Sequence, residues 1–238
     1  MRRIELLYAL AAAAANMLGA LTVTTGARWG LRALNLMLAF AAGFLISVAF
    51  LDLFPEAIRR TGEAAAAVAL VGYLLVHLTQ HTIGKHFHFG EETHAISRVV
   101  SMSALLGLLL HTFVDGVAVA SGARVGDTFG MLVFLAVLLH KLPEGLAISS
   151  LFMVAGAGKR AALAAAGLLG AATIAGVFVT AHVSPLARHG LALSAGVTLY
   201  VGASNLVPEF QATPGWRVPV SFFAGCALYA AARYAAGV

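Results

Sequence analysis

Two imidazole–carboxylate pairs stand in the apolar middle of this chain, His111 with Asp115 and His140 with Glu144. Each pair is four residues apart, the spacing that stacks two side chains on one face of a helix. The flanking phrases echo each other, His-x-x-x-Asp-Gly-Val-Ala at 111–118 and His-x-x-x-Glu-Gly-Leu-Ala at 140–147. Both lie within long hydrophobic runs, where an ionisable group is costly unless it is paired, solvated or ligating. Two nitrogen and two oxygen donors are what a divalent transition metal accepts, Zn²⁺ foremost and also Fe²⁺, Mn²⁺ or Cd²⁺; Cu⁺ would call for Cys or Met. The competing reading is a hydrogen-bonded polar cluster that tethers two helices. Two matched pairs favour the metal.

Three neighbours shape that chemistry. Lys141 sits between His140 and Glu144 in sequence, and a lysine in mid-membrane must be paired or deprotonated. It reads as a tethered positive charge where another cation would otherwise sit. Pro143 removes the amide donor to the carbonyl of Leu139 and opens the helix there. Gly116 and Gly145 allow close helix approach.

Other polar residues are candidates for accessory roles. His77 and His81 close one apolar run, and His86, His88 and His94 follow in a polar loop, which suggests weak, mobile metal affinity. Asp52 and Glu56 could form an entrance near the end of a second run. Asn205 and Glu209 hold the matching place as an exit. Each also reads plainly as a polar residue at a helix end.

The elements that must position these groups are membrane-spanning helices. The chain has 238 residues, 61% of them hydrophobic and 11% charged, with a mean hydropathy of +0.91. Soluble domains carry roughly 25% charged residues. The basic residues are scattered singly or in pairs, so the sequence pI near 9.8 does not point to nucleic acid. The single cysteine, Cys226, excludes an intramolecular disulfide and a Cys-based metal site.

A span needs about 20 mostly apolar residues. Eight segments qualify: 4–25, 31–54, 64–83, 98–121, 129–154, 161–183, 190–208 and 216–236. The first outlasts the apolar core of a signal peptide, roughly 7–15 residues, and is read as a retained helix. Short connections leave no room for a second domain, so residues 1–238 form one transmembrane bundle. Seven basic residues fall on each side of it, so charge counting does not orient the chain.

The span-four and span-five phrases match, and spans two and seven end alike, in Leu53-Phe54-Pro55-Glu56 and Leu206-Val207-Pro208-Glu209. Placement of this kind is the mark of an inverted repeat with a site at its interface.

Taken together these motifs resemble the ZIP family of metal-ion transporters across the whole chain. The resemblance implies an all-α, eight-helix membrane bundle with a transport site between spans four and five. It also implies uptake of zinc or related divalent ions toward the cytoplasm across the plasma (inner) membrane, with the termini extracellular or periplasmic, and it leaves a homodimer open. The chain departs from the family's two-metal pattern at Thr112 and Lys141, and so resembles its one-metal members. Ser204-Asn205 replaces a His-Glu found in some members.

Two other classes compete. An intramembrane zinc hydrolase also uses buried His and carboxylate ligands, but it needs an open coordination position and a spare general base. No H-E-x-x-H occurs, and both central carboxylates are already wanted as ligands. A sensor or scaffold would need a signalling domain that the sequence lacks. An enzyme is therefore not expected.

Overall fold

A computed structural model describes residues 3–26, 31–83, 98–211 and 213–237. Among the described residues its elements are eight helical rods and no strand. They are α1 (Arg3–Thr24), α2 (Leu31–Val48, continued by Ala49–Leu53 and Phe54–Thr61), α3 (Ala64–Ile83) and α4 (Arg98–Ala123). Then come α5 (Asp127–Val154), α6 (Lys159–His182), α7 (Ser184–Leu199, continued by Tyr200–Leu206 and Val207–Gln211) and α8 (Arg217–Ala235). Helices α1, α2, α4, α5 and α6 are each long and apolar enough to cross a membrane. Leu7, Leu70, Leu74, Phe178 and Phe223 point outward, as side chains facing lipid rather than water must.

Rods α2 and α7 run past the limits expected from hydropathy, to Thr61 and Gln211, and a proline explains how. Pro55 and Pro208 lack the amide proton of a regular helix, and their rings crowd the carbonyl one turn back. Just before each proline the helix widens into a π segment, Ala49–Leu53 in α2 and Tyr200–Leu206 in α7. The Phe54 amide donates to the Ala49 carbonyl and the Val207 amide to that of Gly202, both five residues back. The wider turn admits the ring without ending the rod.

The most extensive contacts between rods follow one symmetry. Exchanging α1 with α6, α2 with α7, α3 with α8 and α4 with α5 turns the α1·α5 contact into α6·α4. It likewise turns α2·α8 into α7·α3 and α4·α7 into α5·α2, and all of these contacts are present. Glycines mark the same pairs: Gly145 meets α1, Gly116 meets α6, Gly43 and Gly225 join α2 to α8, and Gly72 and Gly196 join α3 to α7. In lipid no hydrophobic force drives helices together, so such backbone proximity supplies the packing.

Two of these approaches frame the central site. A Cβ on Gly145 would overlap the carbonyl oxygen of Asn16, and one on Gly116 would overlap that of Thr173. Helix α5 is thus seated directly on α1 and helix α4 on α6. The carboxylates one residue earlier, Glu144 and Asp115, are turned into the bundle and buried.

Candidate metal centre

Helices α4 and α5 pack against one another and bring the two matched pairs together at one depth. His111, Asp115, His140 and Glu144 are all buried, and each offers a ligand atom within 4.8 Å of every other. The imidazole rings tilt toward each other with centroids 5.4 Å apart. Among the described residues this is the one group of three or more His, Cys, Asp or Glu side chains arranged to hold a metal ion.

The donor geometry suits a tetrahedral ion. His140 Nε2 lies 3.2 Å and His111 Nε2 3.3 Å from Asp115 Oδ2, and both lie 3.9 Å from Glu144 Oε2. With zinc–ligand bonds near 2.1 Å, the edges of a ligand tetrahedron are about 3.4 Å. The two contacts to Asp115 are close to that edge, and the two to Glu144 are about half an ångström longer.

His140 is set up as a ligand by its own helix. Its Nδ1 is 2.9 Å from the carbonyl oxygen of Ala136, which can only accept, so Nδ1 carries the proton. Its Nε2 faces the site, 3.2 Å from Asp115 Oδ2, and is the ring nitrogen left to bind a metal, the outer-shell arrangement seen at metal-binding histidines. Nδ1 of His111 is buried and has no hydrogen-bond partner among the described residues, so its tautomer is free to follow its occupant.

Lys141 is fully buried and its ammonium completes the cluster. Nζ is 2.6 Å from Asp115 Oδ2, 2.6 Å from Glu144 Oε2 and 3.3 Å from Thr112 Oγ1. The Thr112 hydroxyl donates to Glu144 Oε1 at 2.7 Å. Glu144 is thereby divided: one oxygen is held by Thr112, and the other faces the imidazoles and the ammonium. Paired in this way, three buried charges become tolerable, because each is met by an opposite charge or a hydrogen bond.

Asp52, Glu56 and His77 lie outside this cluster. Asp52 is buried in the π segment of α2, where it accepts hydrogen bonds from the Tyr229 hydroxyl and, at 2.8 Å, from Arg233 Nε on α8. Glu56 is held by Arg59 Nη2 and Arg60 Nε of its own helix, each at 2.7 Å. His77 is exposed on α3, with its ring edge-on to Tyr200 at 5.8 Å. Nearby, the Tyr73 hydroxyl and Ser204 Oγ are 3.1 Å apart.

Asn205 is partly buried in the π segment of α7, Glu209 lies on the last helical stretch of α7, and His81 lies in α3. His86, His88 and His94 fall outside the described residues. The motifs did not single out Tyr229 and Arg233 as partners of Asp52. Their spacing of four on one helix was the available signal, but nothing local ties α8 to α2.

Comparison with known proteins places the chain among metal transporters by sequence. The pattern of the ZIP zinc transporter family matches residues 76–231. The zinc transporter ZupT of Enterobacter sp. (strain 638) is 30% identical, over 86% of each chain. Those of Escherichia fergusonii and Salmonella heidelberg are 28% and 29% identical, each again over 86% of both chains. The matched stretch contains both His/carboxylate helices and the π-widened α7, and with the eight-rod fold and its internal symmetry it establishes that this chain belongs to the ZIP zinc transporter family.

Proposed function

We propose that the protein is a secondary transporter that carries Zn²⁺ across the membrane toward the cytoplasm, with His111, Asp115, His140 and Glu144 as the ligands of the travelling ion. The observation that carries this reading is the convergence of four buried donor atoms, each within 4.8 Å of every other, on two packed helices. The ion is cargo, so its ligands need to hold it only transiently. Fe²⁺, Mn²⁺ and Cd²⁺ suit the same donors and are the natural competitors.

Residues 1–238 act as one transmembrane unit in the plasma (inner) membrane, with the termini on the extracellular or periplasmic face. Asp52 and Glu56 then sit toward the outer face and Asn205 and Glu209 toward the inner one. A homodimer is the further partner in this reading, and the mass of the detergent-solubilised particle tests it. A hydrolytic role finds less support: a zinc hydrolase needs a base beyond its ligands, and both carboxylates here face the imidazoles and Lys141.

Zinc uptake into proteoliposomes is the direct test. Wild-type protein should accumulate Zn²⁺ down an imposed gradient, and Asp115→Ala or Glu144→Ala protein of normal monodispersity should not. Full uptake by either folded variant would remove these residues from the pathway.

A further inference from the structure

We propose that the Lys141 ammonium is a built-in stand-in for the cargo: it holds the ion's own carboxylate oxygens while the site is ion-free, and an arriving divalent ion must displace it. This rests on the four-ligand transport site proposed above.

The geometry is that of a competitor. Nζ lies 2.6 Å from both Asp115 Oδ2 and Glu144 Oε2, and these are the same two oxygens that face the imidazole Nε2 atoms. An ammonium has three protons, and here three acceptors surround it: the two carboxylate oxygens and Thr112 Oγ1. The side chain has no path to solvent, so its charge must be met inside the cluster. A metal ion bonded to both oxygens would claim their lone pairs and stand close to a like charge. The ammonium would then lose its close carboxylate contacts and keep the longer one to the Thr112 hydroxyl, its charge still met by the same two carboxylates at a greater distance.

Loading the site is therefore an exchange of one cation for another, with three consequences. The two carboxylates are never left bare in the membrane interior, where an unpaired charge is most costly. Zinc is held less tightly than four such donors alone would hold it, and the returning ammonium speeds release. A monovalent ion brings no more charge than the lysine it must evict, so Na⁺ and K⁺ are refused. Lys141 thus acts on charge selectivity and exchange rate without itself being a ligand.

The test uses full-length protein with Lys141→Met, which keeps the length and removes the charge, and Lys141→Gln, which keeps hydrogen bonding. Zn²⁺ is titrated calorimetrically into each detergent-solubilised protein, and uptake is followed in proteoliposomes. The expected result is binding about tenfold or more tighter than wild type, lower maximal uptake at a lower KM, and new inhibition of Zn²⁺ binding by 100 mM Na⁺, used here as the probe concentration at roughly cellular ionic strength. As a measurement independent of variant folding, the zinc-induced infrared difference spectrum of wild-type protein should carry an ammonium band that shifts on ¹⁵N-lysine labelling.

Unchanged or weaker Zn²⁺ binding in the folded variants would overturn the proposal, as would a wild-type difference spectrum with no isotope-sensitive ammonium band. If wild-type protein binds no Zn²⁺, the transport site itself falls and takes this inference with it. If wild type binds and the variants do not tighten, this inference alone falls.

Discussion

Thr112 is the most informative position to perturb, because its hydroxyl touches no proposed cargo atom yet determines which oxygen of Glu144 faces the site. It is buried, donates to Glu144 Oε1 at 2.7 Å and receives Lys141 Nζ at 3.3 Å. Thr112→Val keeps the shape and removes both contacts. A hydrogen bond to a charged group contributes about 1.5–3 kcal/mol, and about 1.4 kcal/mol is a factor of ten in binding. If the whole of that energy orients the ligand, Zn²⁺ affinity should fall by about 10–150-fold. Outer-shell partners of metal ligands elsewhere cost about 10–100-fold when removed. Released from Thr112, Glu144 can turn both oxygens toward Lys141, which strengthens the ion pair at the expense of the metal. The assay is the KM for Zn²⁺ in proteoliposomes, read beside thermal unfolding in detergent. Thr112→Ser, which restores the hydroxyl, should return KM close to wild type. A folded Thr112→Val protein with wild-type KM, or a Ser variant as impaired as the Val one, would refute the reasoning.

Other expectations follow from the packing and from the placement of charge. Gly145→Ala should lower stability by about 1–3 kcal/mol through overpacking, because the new methyl overlaps the Asn16 carbonyl; an unshifted unfolding midpoint in detergent would contradict the α1·α5 contact. Asp52→Ala should destabilise the protein by about 1–3 kcal/mol, chiefly because the buried Tyr229 hydroxyl loses its acceptor, and Arg233→Ala made in the same background should add little more, since the partly exposed guanidinium has already lost its bond to Asp52. Changing His86, His88 and His94 together to Ser should leave substantial Zn²⁺ uptake with only a modest change in velocity, measured as initial rate against internal zinc. Loss of all uptake would move that loop into the conduction path.

Much of the candidate site was legible because its signals are local. A spacing of four places His111 with Asp115 and His140 with Glu144 whatever the helices later touch. Long apolar runs and the family's phrases likewise announce a helical membrane protein before any fold is known. The limits of α2 and α7 were less legible. Hydropathy ends a span where polar residues begin, whereas the helix continues through its proline as long as the backbone can widen by one residue.

The pairing of elements was a matter for the tertiary structure alone. Matching phrases in α2 and α7, and in α4 and α5, fit more than one way of relating the remaining rods. Only the contacts assign α1 to α6 and α3 to α8. The physical reason is that helices in lipid are apolar all round, so periodicity does not reveal which face meets which neighbour; small-residue backbone contact decides it. The same holds for charge. The sequence places Asp52 near a helix end with a free carboxylate, while the fold spends that carboxylate on Tyr229 and Arg233, far away along the chain. It places Lys141 beside two proposed ligands, but only the packing of α4 on α5 sets its nitrogen 2.6 Å from a carboxylate of each helix. Residue types and spacing determined the kind of chemistry; which oxygen each cation holds was decided where the two helices met.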